Sequence, residues 1–316
     1  MAVTGGGLGR TQQTGSCVDR YPGFAAGAPL RGIPLSPGIL AAPGGGYPET
    51  HAMMPPALEI ESLSFSINGA SILKDIRVTI GSGEKWSIIG ANGAGKSTLL
   101  KCLLRIHPDW TGSVHLFGRC LDDYSQRNLA RKVAYVPQPG DDQRFPFTVR
   151  QFVAMGRYAY SGMFATAHKD DDAVVTRAMQ QARILEFGDR TLDTLSGGER
   201  QKVFIAAALA QQADLLLLDE PTAFLDYRHQ AEVSRILGEI NQHNGATIVA
   251  VTHDVNAAIL TDGLVLALKQ GNMAWIGPAA DLTQPGRLED IFNTSFRLIE
   301  DPVTGRRLVV PQEAGQ

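Results

Sequence analysis

The chain has 316 residues, 44% hydrophobic and 19% charged, which describes a folded protein with an ample core rather than a low-complexity or fibrous chain. A formal net charge of −3 leaves no electrostatic footprint for nucleic acid, so no nucleic-acid partner is expected. Cys17, Cys102 and Cys120 are odd in number, far apart and free of CxxC spacing, so neither disulfide framework nor zinc site is expected, and no apolar run approaches the roughly 18 residues that span a bilayer.

About a third of residues 1–56 are Gly or Pro, as in GGGLG and APGGGYP, with no helical or strand period. Such a stretch cannot bury enough apolar surface to offset its ordering entropy, and it reads as a disordered extension. It lacks the basic start and continuous apolar run of a signal peptide, and Met53 or Met54 is an alternative start. From Ala57, ALEIESLSFSI alternates like a half-buried strand, and SILKDIRVTI repeats the pattern after an Asn68–Gly69 turn. KWSIIG is a short buried strand entering a glycine loop, and a helix is predicted from Lys96 to about Ile106. Strands follow at SVHLFG and KVAYVPQ. Residues 145–211 read mainly as helices: TVRQFVAMGRY, the acid-started DDDAVVTRAMQQARILEFG, and one opening after LSGGE. DLLLLDE is a buried strand, then a helix at 227–243, the strand TIVAVTH, a helix at 254–261 and the strand GLVLALKQG. This alternation implies a parallel sheet covered on both faces, with the antiparallel start and the helical middle as two additions.

Two helix starts in this scheme suit an anion. The first is GANGAGKST at 90–98, a complete G-x4-G-K-[ST] set between a strand and a helix. Its backbone N–H groups can wrap phosphates, Lys96 can reach the β and γ oxygens, and the Ser97 hydroxyl can ligate Mg²⁺. Downstream, LLLLDEP places Asp219 and Glu220 at a strand end, Asp219 as a Mg²⁺ partner and Glu220 as the base for an attacking water. Merely capping the turn at Pro221 is the plainer role for the two acids, and the phosphate loop argues against it. The second start is LSGGERQ at 195–201, where Ser196 and Glu199 form a capping box and the glycines expose N–H groups. One chain by itself has no evident use for both.

The phosphate loop, Gln138 in VAYVPQ, LSGGERQ, LLLLDEP, FLD and His253, in that order, resemble the ATP-binding subunit of an ABC transporter. The resemblance covers residues 57 to about 280. It implies an α/β fold: a P-loop NTPase (RecA-like) parallel-sheet core, an antiparallel β subdomain and an inserted helical subdomain at about 145–200. The ATP-binding domain would then span 57–316, with a C-terminal tail at about 281–316. The implied cofactors are ATP and Mg²⁺. Nucleotide would be held by Gly90, Asn92, Gly93, Gly95, Lys96, Ser97 and Thr98, and metal by Ser97, Gln138 and Asp219. Glu220, His253 and Gln138 would be the catalytic set, with Gln138 touching metal and water and sensing the permease, and His253 on the γ-phosphate. Asp226 resembles the family's D-loop aspartate.

The resemblance also accounts for the second helix start. In this family two subunits pack head to tail, so Ser196 and the N–H groups of Gly197 and Gly198 would close the ATP of a neighbour. The implied partners are a second copy or paired ABC subunit, transmembrane permease subunits received by segment 145–195, and an extracytoplasmic substrate-binding protein. The implied place is cytoplasmic, peripheral on the inner face of the cell membrane through the permease.

Two positions depart from the family pattern: Ile67 stands where an adenine-stacking aromatic is usual, and Ala206-Ala207-Ala208 where Ala-Arg-Ala is frequent. TVRQFVAMGRYAY, HDVNAA and DPVTGRRLVVP are similar to importers of iron–siderophore complexes, haem and vitamin B12. Other readings stay open here: an ABC-type ATPase of a soluble machine such as iron–sulfur cluster assembly, a transporter for another substrate, or a silent regulatory cassette. Intact Lys96 and Glu220 oppose the last. A single phosphate loop opposes a translation-type twin cassette, and a repair ATPase needs coiled-coil or clamp domains for which there is no room.

Overall fold

The computed structural model describes residues 55–138, 146–160, 169–302 and 304–312. The expected Gly/Pro-rich extension, apart from Pro55 and Pro56, lies outside the described residues.

Period-two alternation brings β1 (Leu58–Ile67) and β2 (Ala70–Ile80) together as an antiparallel hairpin. Its connection is Asn68–Gly69 at φ 49° and 80°, the positive-φ pair whose twist matches two right-twisted strands. β4 (Thr111–Leu116) pairs with the other edge of β1, and the short β5 (Arg119–Cys120) with β4. The helix α2 (Gln126–Ala130), capped by Ser125, leads out of this sheet.

The second sheet holds six strands in the order β10-β9-β3-β8-β7-β6. β3 (Lys85–Ile89), β6 (Val133–Val136), β7 (Leu215–Asp219), β8 (Thr247–Val251) and β9 (Leu264–Lys269) run parallel, and β10 (Asn272–Pro278) closes the edge antiparallel to β9. The four leucines of β7 split by parity. Leu215 and Leu217 enter one core with Leu99 and Leu100 of α1 (Lys96–Leu103) and the antiparallel sheet. Leu216 and Leu218 enter another, with Val153 of α3 (Val149–Met155), Met179 of α4 (Lys169–Gln181), Ile205 of α5 (Gly197–Ala210) and Ile236 of α6 (Tyr227–Asn244). That split is why the strand reads as an unbroken apolar run. A third core joins Val255 and Ile259 of α7 (Val255–Leu260) to Ala267, to Leu288 of α8 (Arg287–Phe292) and to Val309. Val309 belongs to a C-terminal hairpin of β11 (Phe296–Glu300) and β12 (Arg307–Pro311).

Register positions the site. Ile88 of β3 and Asp219 of β7 both pair with Val251 on β8, which lies between them. The segments leaving β3, β7 and β8 therefore open side by side along one sheet edge, where open α/β sheets bind ligands.

Several boundaries differ from expectation. α1 stops at Leu103, because Arg105 takes a positive φ of 57°. The helix from Val149 ends at Met155 and continues as a 3₁₀ turn, Gly156–Ala159. There Arg157 turns inward onto Asp171 and the Ala210 carbonyl, both at 2.8 Å. The acid-started helix ends at Gln181, with Arg183 at φ 58° and a separate 3₁₀ turn at Leu185–Phe187. Cys102 is a free, buried thiol, and Cys17 lies outside the described residues.

Candidate functional site

The loop between β3 and α1 is bent by glycines. Gly90 sits at φ 148°, and a Cβ there would lie 2.2 Å from the Leu268 carbonyl oxygen, so no larger residue fits. Gly95, at φ 101°, is the N-cap of α1, whose first turn carries no acidic residue. Lys96 is buried, and its Nζ donates to the carbonyls of Gly90 at 2.7 Å and Ala91 at 3.1 Å, bridging the loop it leaves. Burial holds its ammonium below the usual lysine range, while the carboxylates of Glu220 and Asp219 pull the other way. Asn92 and Gly93 are exposed at the loop tip, and Thr98 is half-buried in the first turn of α1.

Ser97 and Asp219 meet across the crevice, the serine hydroxyl donating to Oδ1 at 2.8 Å. Both are hard oxygen donors, and Mg²⁺ is commonly held by one or two such groups plus water and substrate phosphates. The pair therefore fits that ion. Among the described residues no group of three or more His, Cys, Asp or Glu could hold a metal by itself. Tyr135 on β6 extends its hydroxyl to the other Asp219 oxygen at 3.4 Å, and burial followed by the Asp219 charge pushes the phenol up to about 12. The sequence reading did not select Tyr135; a polar-tipped residue within the apolar run VAYV was its signal.

Glu220 leaves β7 with φ 50°, held there as its N–H donates to Val251 at 3.0 Å. Its buried Oε2 lies 2.7 Å from His253 Nδ1 and accepts from the His253 backbone N–H at 3.4 Å. The imidazole is 61% exposed, so the dyad has a sheltered carboxylate and a ring open to ligand. Gln138 is exposed two residues beyond β6, and residues 139–145 lie outside the described residues.

The LSGGERQ segment forms the N-terminus of α5. Ser196 is the N-cap: its Oγ accepts from the Glu199 backbone N–H at 3.3 Å and its own backbone N–H donates to the Glu199 carboxylate at 2.8 Å, a complete capping box. That backbone hydrogen bond holds the Glu199 carboxyl below the usual carboxylate range. Asp226 is the N-cap of α6, accepting from the His229 N–H at 2.9 Å. Phe224 and Tyr227 beside it are 85% and 90% exposed, far beyond what large aromatics usually show. Ile67, at the end of β1, is 40% exposed and offers an apolar but not aromatic face.

The predicted residues thus fall into two groups. The glycine loop, Lys96, Ser97, Asp219, Glu220 and His253 converge on one sheet edge; Ser196, Gly197, Gly198 and Asp226 cluster at the starts of α5 and α6. A phosphate cradle, a hard oxygen pair and a carboxylate–imidazole dyad are the components of phosphoryl transfer to water.

Comparison with known proteins agrees with this chemistry. A family model described as ABC transporter matches residues 73–223. The ferric enterobactin transport ATP-binding protein FepC of Escherichia coli (strain K12) is 37% identical over 255 residues, covering 79% of this chain and 92% of the relative. A metal-chelate type ABC transporter solved in an inward-facing conformation superposes with a TM-score of 0.72 at 27% identity, covering 82% of this chain and 98% of that one. A dimeric ATP-binding cassette solved in a post-hydrolysis state with ADP and Pi superposes at 0.61 and 26% identity, covering 70% and 98%.

Proposed function

Since the chain belongs to the ATP-binding subunits of the ABC transporter family, we propose that it hydrolyses ATP to drive a membrane permease importing an iron chelate of the siderophore type. The observation that carries this reading is the convergence of Lys96, Ser97, Asp219, Glu220 and His253 at the edge of β3, β8 and β7. The substrate class rests on the relative that transports ferric enterobactin and on the metal-chelate transporter structure.

In this reading the loop from Gly90 to Gly95 cradles the phosphates, and Lys96 exchanges its two loop carbonyls for β and γ oxygens. Ser97 and Asp219, with Gln138 completing the set, would hold Mg²⁺, which would supply charge neutralisation on those oxygens. Glu220 accepts a proton from the attacking water, and His253 orients that carboxylate while reaching the γ-phosphate. Asn92, Gly93 and Thr98 line the same cradle.

The second group serves a second copy: Ser196 and the N–H groups of Gly197 and Gly198 close on the partner's ATP, with Asp226 at the boundary. The exposed Phe224 and Tyr227 support a partner surface there, and the dimeric relative bound to ADP and Pi supports the pairing. A groove of about 280 Å³ between Pro137, Phe152, Met155, Ala207 and Gln211 suits the end of a permease helix. Among the described residues no helix is long and apolar enough to cross a membrane, so the permease would hold the chain at the inner face. A substrate-binding protein outside the membrane belongs to the same proposal.

The direct test is steady-state turnover of Mg-ATP by the full chain and by Lys96→Ala. Saturable release of phosphate that the lysine variant loses supports the reading; equal release by both overturns it. Co-purification with soluble assembly factors, rather than a membrane permease, would favour the soluble-machine alternative.

A further inference from the structure

His229 lies on the first turn of α6, and none of the motifs includes it. Its ring makes two contacts at once. Nδ1 stands 2.9 Å from both carboxylate oxygens of Asp226, while the backbone N–H of His229 donates to Oδ1 at 2.9 Å. The other side of the imidazole lies on Gly198: a Cβ at 198 would sit 2.2 Å from His229 Cδ2, 2.3 Å from Cγ and 2.8 Å from Cβ. At Gly197 an added Cβ would meet nothing within 4 Å. Gly198 has no positive φ, so neither strain nor the turn demands glycine there. One turn further on, Lys202 of α5 bonds Glu232 of α6 at 3.1 Å and secures the same pair of helices.

We propose that His229 is a positioning residue that locks the Ser196–Gly198 loop to Asp226, so that the two segments move as one body. The contact makes glycine necessary at 198 for a reason internal to the chain. Alanine at 198 would keep the N–H that a phosphate needs and would fail because the ring occupies the space of its methyl group. This deepens the proposed head-to-tail pairing and rests on it: when a partner's nucleotide draws the loop, Asp226 travels with it, and one site reports to the other.

The test is a double-mutant cycle on the full chain with Gly198→Ala, His229→Ala and both together, reading turnover, KM for ATP and thermal midpoint. Gly198→Ala is expected to lower kcat about thirtyfold or more in the parental chain but less than about tenfold in the His229→Ala background, where the ring is gone and only the Cβ contact at 2.8 Å remains. His229→Ala itself is expected to lower kcat about tenfold with KM for ATP within about twofold, because Lys96 and its loop are untouched. His229→Asn, which keeps an N–H for Asp226, is expected to recover most of that loss. The proposal is overturned if Gly198→Ala costs the same factor in both backgrounds, or if His229→Ala turns over at the parental rate. If the parental chain shows no Lys96-dependent turnover, the ATPase reading fails instead. The thermal midpoints of the four proteins still report the Gly198–His229 contact: a smaller drop from Gly198→Ala without the ring supports it, and equal drops refute it.

Discussion

Replacing Asn256 with alanine probes what holds the His253 loop in place. α7 begins two residues after His253 and is only six residues long, too short to be stable without tertiary support. Its inner face, Val255, Ala258 and Ile259, is buried against the core. On another side, Asn256 donates to the Val309 carbonyl at 3.0 Å and accepts from the Val309 N–H at 2.8 Å. Val309 is 3% exposed, so alanine at 256 strips both of its backbone groups of partners away from water. At about 1 to 3 kcal/mol per stranded group, with some relief as the hairpin shifts to admit water, the cost is about 2 to 4 kcal/mol. For a domain of this size the thermal midpoint falls on the order of 5 to 10 °C. Scanning fluorimetry reads the shift, and a turnover assay is expected to show kcat falling while KM for ATP holds, since Lys96 is unaffected. Arg306→Ala is the control: its ion pair with Asp262 joins side chains 42% and 66% exposed, so its loss is expected to cost below about 1 kcal/mol. A midpoint for Asn256→Ala within about 1 °C of the parental value, with kcat unchanged, would refute the reasoning.

Glu199→Gln tests the capping box by pH. The Glu199 carboxyl is held below its ordinary value of 4.5, so its contribution to stability is present above that value and drains away as pH falls through the folded-state pKa. The parental advantage in thermal midpoint over Glu199→Gln is expected near neutrality and to vanish in acid; a gap constant with pH would refute it. Ile67→Tyr adds a ring where the family stacks adenine, and is expected to tighten ATP binding about two- to tenfold by direct titration; unchanged affinity would mean the base does not reach β1. Asp219→Asn is expected to lower turnover by about a hundredfold or more and raise the Mg²⁺ needed for half-maximal rate, whereas a parental Mg²⁺ dependence would remove Asp219 from the metal.

The strands and the phosphate loop were legible because their chemistry is local. Alternation in β1 and β2 follows from a period of two residues, the Asn68–Gly69 turn from the backbone freedom of its residues, and the apolar run 215–218 from burial on both faces of the sheet. Helix ends were less legible, since Arg105 and Arg183 terminate helices through positive φ without a glycine to announce it. β10, α8 and the terminal hairpin escaped because Trp275, Phe292 and Val309 find their burial in contacts remote along the chain. Within the site, Lys96, Asp219 and Glu220 stand out as motif letters. Tyr135 and His229 do not, because their parts depend on which strand or helix start lies opposite, and spacing along the chain carries no trace of that.

The pairing of two chains around nucleotide is tested most directly by the solution mass of Glu220→Gln with and without Mg-ATP, measured by light scattering. Removing the base leaves the phosphate cradle and the Ser196–Gly198 loop intact, so the account predicts one chain with ADP and two chains with Mg-ATP. Retention of single-chain mass with ATP demonstrably bound would contradict it.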